Sequence, residues 1–67
     1  MKEYMIQVWG LDGALYAYGN FHGANAIEVF EKAFAAGQLH LPYGEEVEIV
    51  STCLETSLNI KFRAQGC

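Results

Sequence analysis

The sequence predicts a two-layer α+β domain. A four-stranded antiparallel sheet in the order 2-1-3-4 carries one helix on one face. Three observations lead there. Four runs alternate apolar and polar residues with the period of two that a half-buried strand requires. One run, between the second and third of these, repeats apolar residues at the spacing of a helix face. The breaks between runs are short and polar, with no repeat or linker, so the 67 residues form one domain, residues 1–67.

The first run, EYMIQVW (3–9), is rich in strand formers and sets Tyr4, Ile6 and Val8 on one face and Met5, Gln7 and Trp9 on the other. Asp12-Gly13 is a strong hairpin signal. The chain then returns as ALYAYGNF (14–21), with Leu15, Ala17, Gly19 and Phe21 on one face and Ala14, Tyr16, Tyr18 and Asn20 on the other. Gly19 weakens this strand and marks a bulge or a place where something packs close. The helix starts at Asn25, with Glu28 three residues on completing a variant of the capping box, and stops at Gly37, which supplies the left-handed residue after the last turn. Ala26, Val29, Phe30, Ala33 and Phe34 form its apolar stripe, widened by Ile27. GQLHLPYGEE is a loop pegged by Leu39 and Leu41, and Pro42 keeps it out of regular pairing. EVEIVSTCL (46–54) is the third strand, with Val47, Ile49, Ser51 and Cys53 on one face. LNIKFRA (58–64) is the fourth, with Leu58, Ile60, Phe62 and Ala64 inward and Asn59, Lys61 and Arg63 outward.

The helix reverses the chain after the second strand, so the third strand runs as the second does and pairs antiparallel with the first. The competing order 2-1-4-3 would need a parallel central pair. In either order the helix stripe is committed to the core and one sheet face is left uncovered. That face holds Trp9, Tyr16 and Tyr18, an aromatic cluster of the kind that marks an interaction site. Cross-strand pairing that merely steadies a small sheet, at about 0.2–1 kcal/mol per pair, is the structural alternative.

Composition narrows the function. Hydrophobic residues make up 52% of the chain and charged residues 18%, so the chain has the means for a dense core, which a domain this small needs because folding buries only roughly 60% of its surface. Eight acidic residues against four basic ones leave a net charge of -4. Four bases are a weak footprint for binding nucleic acid through its phosphates, and Glu46 and Glu48 lie on the same face as the strand aromatics. The acidic balance fits a basic partner instead. Glu45, Glu46 and Glu48 cluster at the third strand, Glu28 and Glu31 lie on the outer side of the helix, and Asp12 and Glu55 sit at hairpin tips. These carboxylates could compete for a groove built for phosphates.

Catalytic and metal readings find little support. His22, His40, Cys53 and Cys67 match no zinc spacing. Cys53 shares the face of Val47 and Ile49, which makes it a buried thiol, and Cys67 is a terminal residue. A Cys53–His22 nucleophilic pair would need both groups exposed together. GNFHG lacks the order of a phosphate-binding loop. The expectation is a protein that is not an enzyme and uses no metal or cofactor. The start of the chain has no apolar signal-type core, and no apolar run reaches the ~20 residues of a membrane span, so a cytoplasmic location is expected.

The stretches YMIQVWG, LYAYGNFHGANAIEVFEKAFAAGQLHL and EVEI resemble the β-β-α-β plan of small phage and mobile-element proteins. One case is the DpnD/PcfM-like family, with its strand pair, "A-I-E" helix start, "G-x-L-x-L" and acidic strand. The likeness covers about residues 4 to 50. In size, charge and layout the chain is also similar to anti-CRISPR proteins. What the resemblance implies is a phage-encoded inhibitor that occupies the basic surface of a nucleic-acid-handling complex. On this reading Glu28, Glu31, Glu45, Glu46 and Glu48 supply charge, and Trp9, Tyr16 and Tyr18 supply apolar anchors. The alternatives are a homodimer that buries the aromatic sheet face and a single-stranded nucleic-acid-binding sheet.

Overall fold

A computed structural model describes residues 2–65 of the chain. The strands are β1 (Lys2–Gly10), β2 (Leu15–Gly23), β3 (Glu46–Cys53) and β4 (Asn59–Gln65), and the helix α1 (Ala26–Ala35) lies between β2 and β3. All three pairings are antiparallel and the strand order is β2-β1-β3-β4, the order expected from the reversal of the chain at the helix.

Alternation decides which residues are inside. Tyr4, Ile6 and Val8 of β1 and Val47, Ile49, Ser51 and Cys53 of β3 are buried under α1, as are Val29, Phe30 and Ala33 of the helix itself. Removing Ile6, Val8, Val29, Val47 and Ile49 from water stabilises the fold by about 1.5–3 kcal/mol each. The peg residue Leu39 joins this core, and Leu41 packs against it.

Three contacts dock the helix. Gly23 lets Val29 approach so closely that a Cβ there would overlap the Val29 Cγ2. The buried Ser51 hydroxyl donates to the Ala26 carbonyl (3.2 Å). The Phe30 ring meets Phe62 of β4 edge-on, with centroids 5.5 Å apart and planes at 74°.

The helix ends follow their signals. The Glu28 N–H donates to the Asn25 side-chain oxygen (2.8 Å). At the other end the Gln38 N–H donates to the Ala33 carbonyl (2.9 Å) and the Gly37 N–H to the Phe34 carbonyl (3.1 Å), with Gly37 at φ 73°. That paired pattern is a Schellman motif.

The β1–β2 hairpin forms where Asp12-Gly13 signals it, with a loop of three residues, Leu11, Asp12 and Gly13. The Gly13 N–H donates to the Gly10 carbonyl (3.0 Å), the Gly10 N–H donates to the Ala14 carbonyl (2.7 Å), and Gly13 sits at φ 93°, a type I turn closed by a left-handed glycine. A further irregularity lies between Val8 and Trp9: Val8 faces Ala17, but Trp9 faces Leu15, so Tyr16 is an extra residue on β2. A bulge of this kind shifts the side chains beyond it. Leu15, expected inward, now lies opposite Trp9 on the helix-free face and is exposed. The bulge is at Tyr16 and not at Gly19; the Phe21 ring packs against Gly19 instead, 2.9 Å from where a Cβ would stand.

On β4 the inward face is as expected, but the helix does not reach all of it. Phe62 and Ala64 pack on the core, whereas Ile60 is 42% exposed and Leu58, just before the strand, 72%.

Asn25→Ala removes the cap acceptor and is expected to cost about 1 kcal/mol in urea denaturation. Ser57, in the β3–β4 turn, holds φ 61°, so Ser57→Gly is expected to raise the unfolding free energy measured in urea by up to about 1 kcal/mol.

Candidate functional site

The face that α1 leaves bare is read directly from the register. One cross-strand row holds Leu15, Trp9, Glu48 and Arg63; the next holds Tyr18, Gln7, Val50 and Lys61; a third holds Asn20, Met5, Thr52 and Asn59. At the hairpin end of these rows is a shallow depression of about 560 Å³, lined by Gln7, Trp9, Glu48, Val50, Lys61 and Arg63. Trp9 is half-buried there, on the open side of the sheet and not beneath the 37–45 loop. Arg63 reaches Glu46 at 3.6 Å, with both side chains at least half exposed, so the pair contributes little to stability. The lining of this depression combines one aromatic ring, Trp9, with charges of both signs.

Tyr16 is not part of it. The bulge turns its ring over Gly10, where a Cβ would lie 2.5 Å from the Tyr16 Cε2. Gly10 follows Val8 in the alternation and pairs with the buried Val47, so the ring covers the end of the sheet on the helix side. The expectation that Tyr16 joins Trp9 and Tyr18 on the open face is therefore corrected. A one-residue insertion inverts parity, and nothing in the alternation of ALYAYGNF announces it.

The new position gives Tyr16 an acidic setting. Gly10, Leu11, Asp12, Tyr16, Glu45 and Glu46 line a shallow notch between the β1–β2 loop and the start of β3. The Asp12 carboxylate, then partial desolvation, then Glu45 hold the phenol above the ordinary tyrosine range. Asp12 itself is held by the turn, where its Oδ1 accepts from the Ala14 N–H (3.1 Å).

The structure thus divides the acidic residues singled out from sequence. Glu45 and Glu46 gather with Asp12 at one end of the sheet, and Glu48 stands beside Trp9 on the open face. Glu28 and Glu31 belong to the helix layer, and Glu28 is engaged with Lys32 at 3.2 Å. They do not form one patch with the others. Tyr18 remains on the open face and is 73% exposed.

The groups considered for chemistry are placed as follows. Cys53 is buried on the helix side of β3, opposite Tyr4, whereas His22 is exposed opposite Glu3, on the other face of the sheet. The two cannot form a nucleophilic pair. Hydrogen bonds from Thr56, first its side chain and then its backbone, hold the Cys53 thiol below the ordinary cysteine range. Cys67 lies outside the described residues. Among the described residues no three His, Cys, Asp or Glu side chains converge as metal ligands, and no helix is long and apolar enough to cross a membrane.

Sequence reasoning missed Tyr43, which is exposed in the loop before β3, and missed that Leu58 and Ile60 stay exposed where the helix does not reach. Inward parity signalled burial for Leu58 and Ile60, and only the helix position reveals their exposure. No protein family, curated protein or solved structure matches this chain.

NMR titration of the tyrosine ring carbons tests the acidic notch. Tyr16 is expected to ionise at higher pH than free tyrosine. Asp12→Asn is expected to bring its midpoint down toward the ordinary range, and Lys32→Gln, on the helix, to leave it in place.

Proposed function

We propose that the chain is a non-enzymatic binding protein that docks on a basic protein surface through the hairpin end of its sheet. The observation that supports this most is the convergence of Asp12, Glu45 and Glu46 about Tyr16. Carboxylates carried on backbone already fixed by a turn and a strand leave less to be ordered on binding than carboxylates on a free segment. Asp12, Glu45 and Glu46 adjoin the depression lined by Trp9, so acidic groups and an aromatic anchor belong to one end of the molecule, the usual anatomy of a protein interface. Glu48 serves this surface from the lining of the depression. Glu28 and Glu31, on the helix layer, act through the overall field of the chain, whose net charge of -4 steers it to a positive partner.

The similarity of size, charge and layout to anti-CRISPR proteins gives this reading its specific form. The chain would be a phage-encoded inhibitor that fills the phosphate-binding surface of a nucleic-acid-handling complex in the cytoplasm. A second reading is favoured by one observation: Lys61 and Arg63 line the same depression as Trp9, a pairing of cations with an aromatic platform of the kind on which single-stranded nucleic acid stacks.

Affinity capture from host extract, followed by binding assays with the purified partner, separates the two. Capture of a protein with a basic nucleic-acid-binding surface is expected, with affinity that falls as salt rises. Asp12→Lys combined with Glu45→Lys is expected to raise its Kd by about tenfold or more. A partner indifferent to salt and to the double reversal would refute the docking surface. A shift of labelled single-stranded oligonucleotides that is lost on Trp9→Ala and Arg63→Glu would establish the second reading in its place.

A further inference from the structure

The sheet has two open edges, and they are built differently. Backbone hydrogen bonds give the phase of each. The Leu54 N–H donates to the Glu3 carbonyl (3.0 Å) across β1–β3, and the Gly10 N–H donates to the Ala14 carbonyl (2.7 Å) across β1–β2. Successive residues of a strand turn their backbone groups to opposite sides, so Tyr4, Ile6 and Val8 bond to Phe21, Gly19 and Ala17. Tyr18, Asn20 and His22 therefore point their N–H and C=O groups outward, and among the described residues nothing pairs with them. On the other edge the Cys53 N–H donates to the Leu58 carbonyl (2.8 Å), which leaves the backbone of Asn59, Lys61, Arg63 and Gln65 outward.

Native edges are guarded by charge, proline or distortion. The β4 edge has Lys61 and Arg63, and a two-fold pairing about its middle would set Lys61 against another Lys61 or against Arg63, which is unfavourable. β2 has no such guard over residues 17–23: the segment AYGNFHG contains no Asp, Glu, Lys, Arg or Pro, and the bulge lies before it, at Tyr16.

We propose that this edge pairs with the same edge of a second copy, antiparallel about a two-fold axis at Asn20, to give one continuous sheet of eight strands. The phase of the outward groups selects the register. Asn20 faces Asn20, and Tyr18 faces His22 of the other copy, each exchanging both backbone bonds. The intervening pairs then set Gly19 opposite Phe21. Phe21 already lies against Gly19 of its own strand and is only half-buried. In this register the two half-buried Phe21 side chains, each over the Gly19 of its own strand, come within diagonal reach of each other across the seam. On the helix-free face the most exposed aromatic of the strand, Tyr18, gains a His22 ring as its cross-strand neighbour. No like charges meet in this register. The pairing is isologous, so it closes at two copies and does not propagate, and it provides a small domain with the added burial that such domains commonly draw from a partner. The acidic notch at Asp12, Glu45 and Glu46 lies beyond the paired segment, so this inference stands or falls apart from the proposed function.

Sedimentation equilibrium of the full chain, with amide hydrogen exchange, tests it. A mass rising from one chain toward two with concentration is expected. Asn20→Pro deletes only an outward N–H, and Asn20→Lys sets two cations at the axis. Each is expected to raise the dimer Kd more than about tenfold with an unchanged circular dichroism spectrum, while Trp9→Ala and Ile60→Asp leave it in place. In the wild-type chain the amides of Tyr18, Asn20 and His22 are expected to gain protection as concentration rises, with those of Gly19 and Phe21 protected throughout. If Asn20→Pro unfolds the chain, Asn20→Lys and the exchange pattern decide. A single-chain mass up to about 1 mM would overturn the proposal. So would a dimer that survives Asn20→Lys, or one that protects the outward amides of Lys61 and Arg63 instead.

Discussion

One ten-residue helix has to shield a sheet of four strands, and most of the molecule follows from that shortage. At about 1.5 Å per residue α1 is about 15 Å long, whereas a nine-residue strand extends about 30 Å. The helix can cover one face, and only part of that. Its place is set by Gly23, which admits Val29, by the Ser51 hydroxyl on the Ala26 carbonyl, and by the Phe30–Phe62 contact. These contacts centre it over β2, β1 and β3. The 37–45 loop supplies Leu39 as the remaining piece of the roof. Everything the helix cannot reach is left to solvent or to another molecule: the whole opposite face, Leu58 just before β4 and Ile60 on it, and the outer edge of β2.

Charge is distributed over these surfaces unevenly. The open face carries Glu48 together with Lys61 and Arg63, so its rows are mixed in sign. The excess of acid appears at the hairpin end, where a turn and a strand start converge. That convergence is a product of topology. Asp12 and Glu45 are more than thirty positions apart in the chain, and they meet because β1 ends where β3 begins. The raised pKa of Tyr16 expresses the same convergence, since both carboxylates disfavour the phenolate. Glu28 and Lys32, one helical turn apart, neutralise each other locally, so the helix exterior contributes less to the field than its acid count suggests.

A small sheet with one bare face and an unguarded edge has surfaces suited to different kinds of recognition. The hairpin end presents carboxylates next to the depression lined by Trp9. The β2 edge offers backbone bonds to an extended strand. These surfaces do not overlap in the paired segment, so a self-paired molecule would still present its acidic ends.

The elements, their order and the strand pairing were legible in the sequence. Period-two alternation, the Asn25 cap, the Gly37 stop and one amphipathic run are local signals whose physics is complete within a few residues. The reversal of direction at a helix then limits how consecutive strands can pair. The candidate site was legible in part. Trp9 and Tyr18 lie on the open face because their strand stretches keep alternation. Tyr16 does not, because one inserted residue on β2 turns its ring over Gly10, and a bulge costs too little and leaves too faint a pattern to be seen from one strand. The exposure of Leu58 and Ile60, the meeting of Asp12 with Glu45 and the bareness of the β2 edge were likewise decided in three dimensions. Each depends on where a distant segment comes to rest, and alternation states only which way a side chain points, never what stands in front of it.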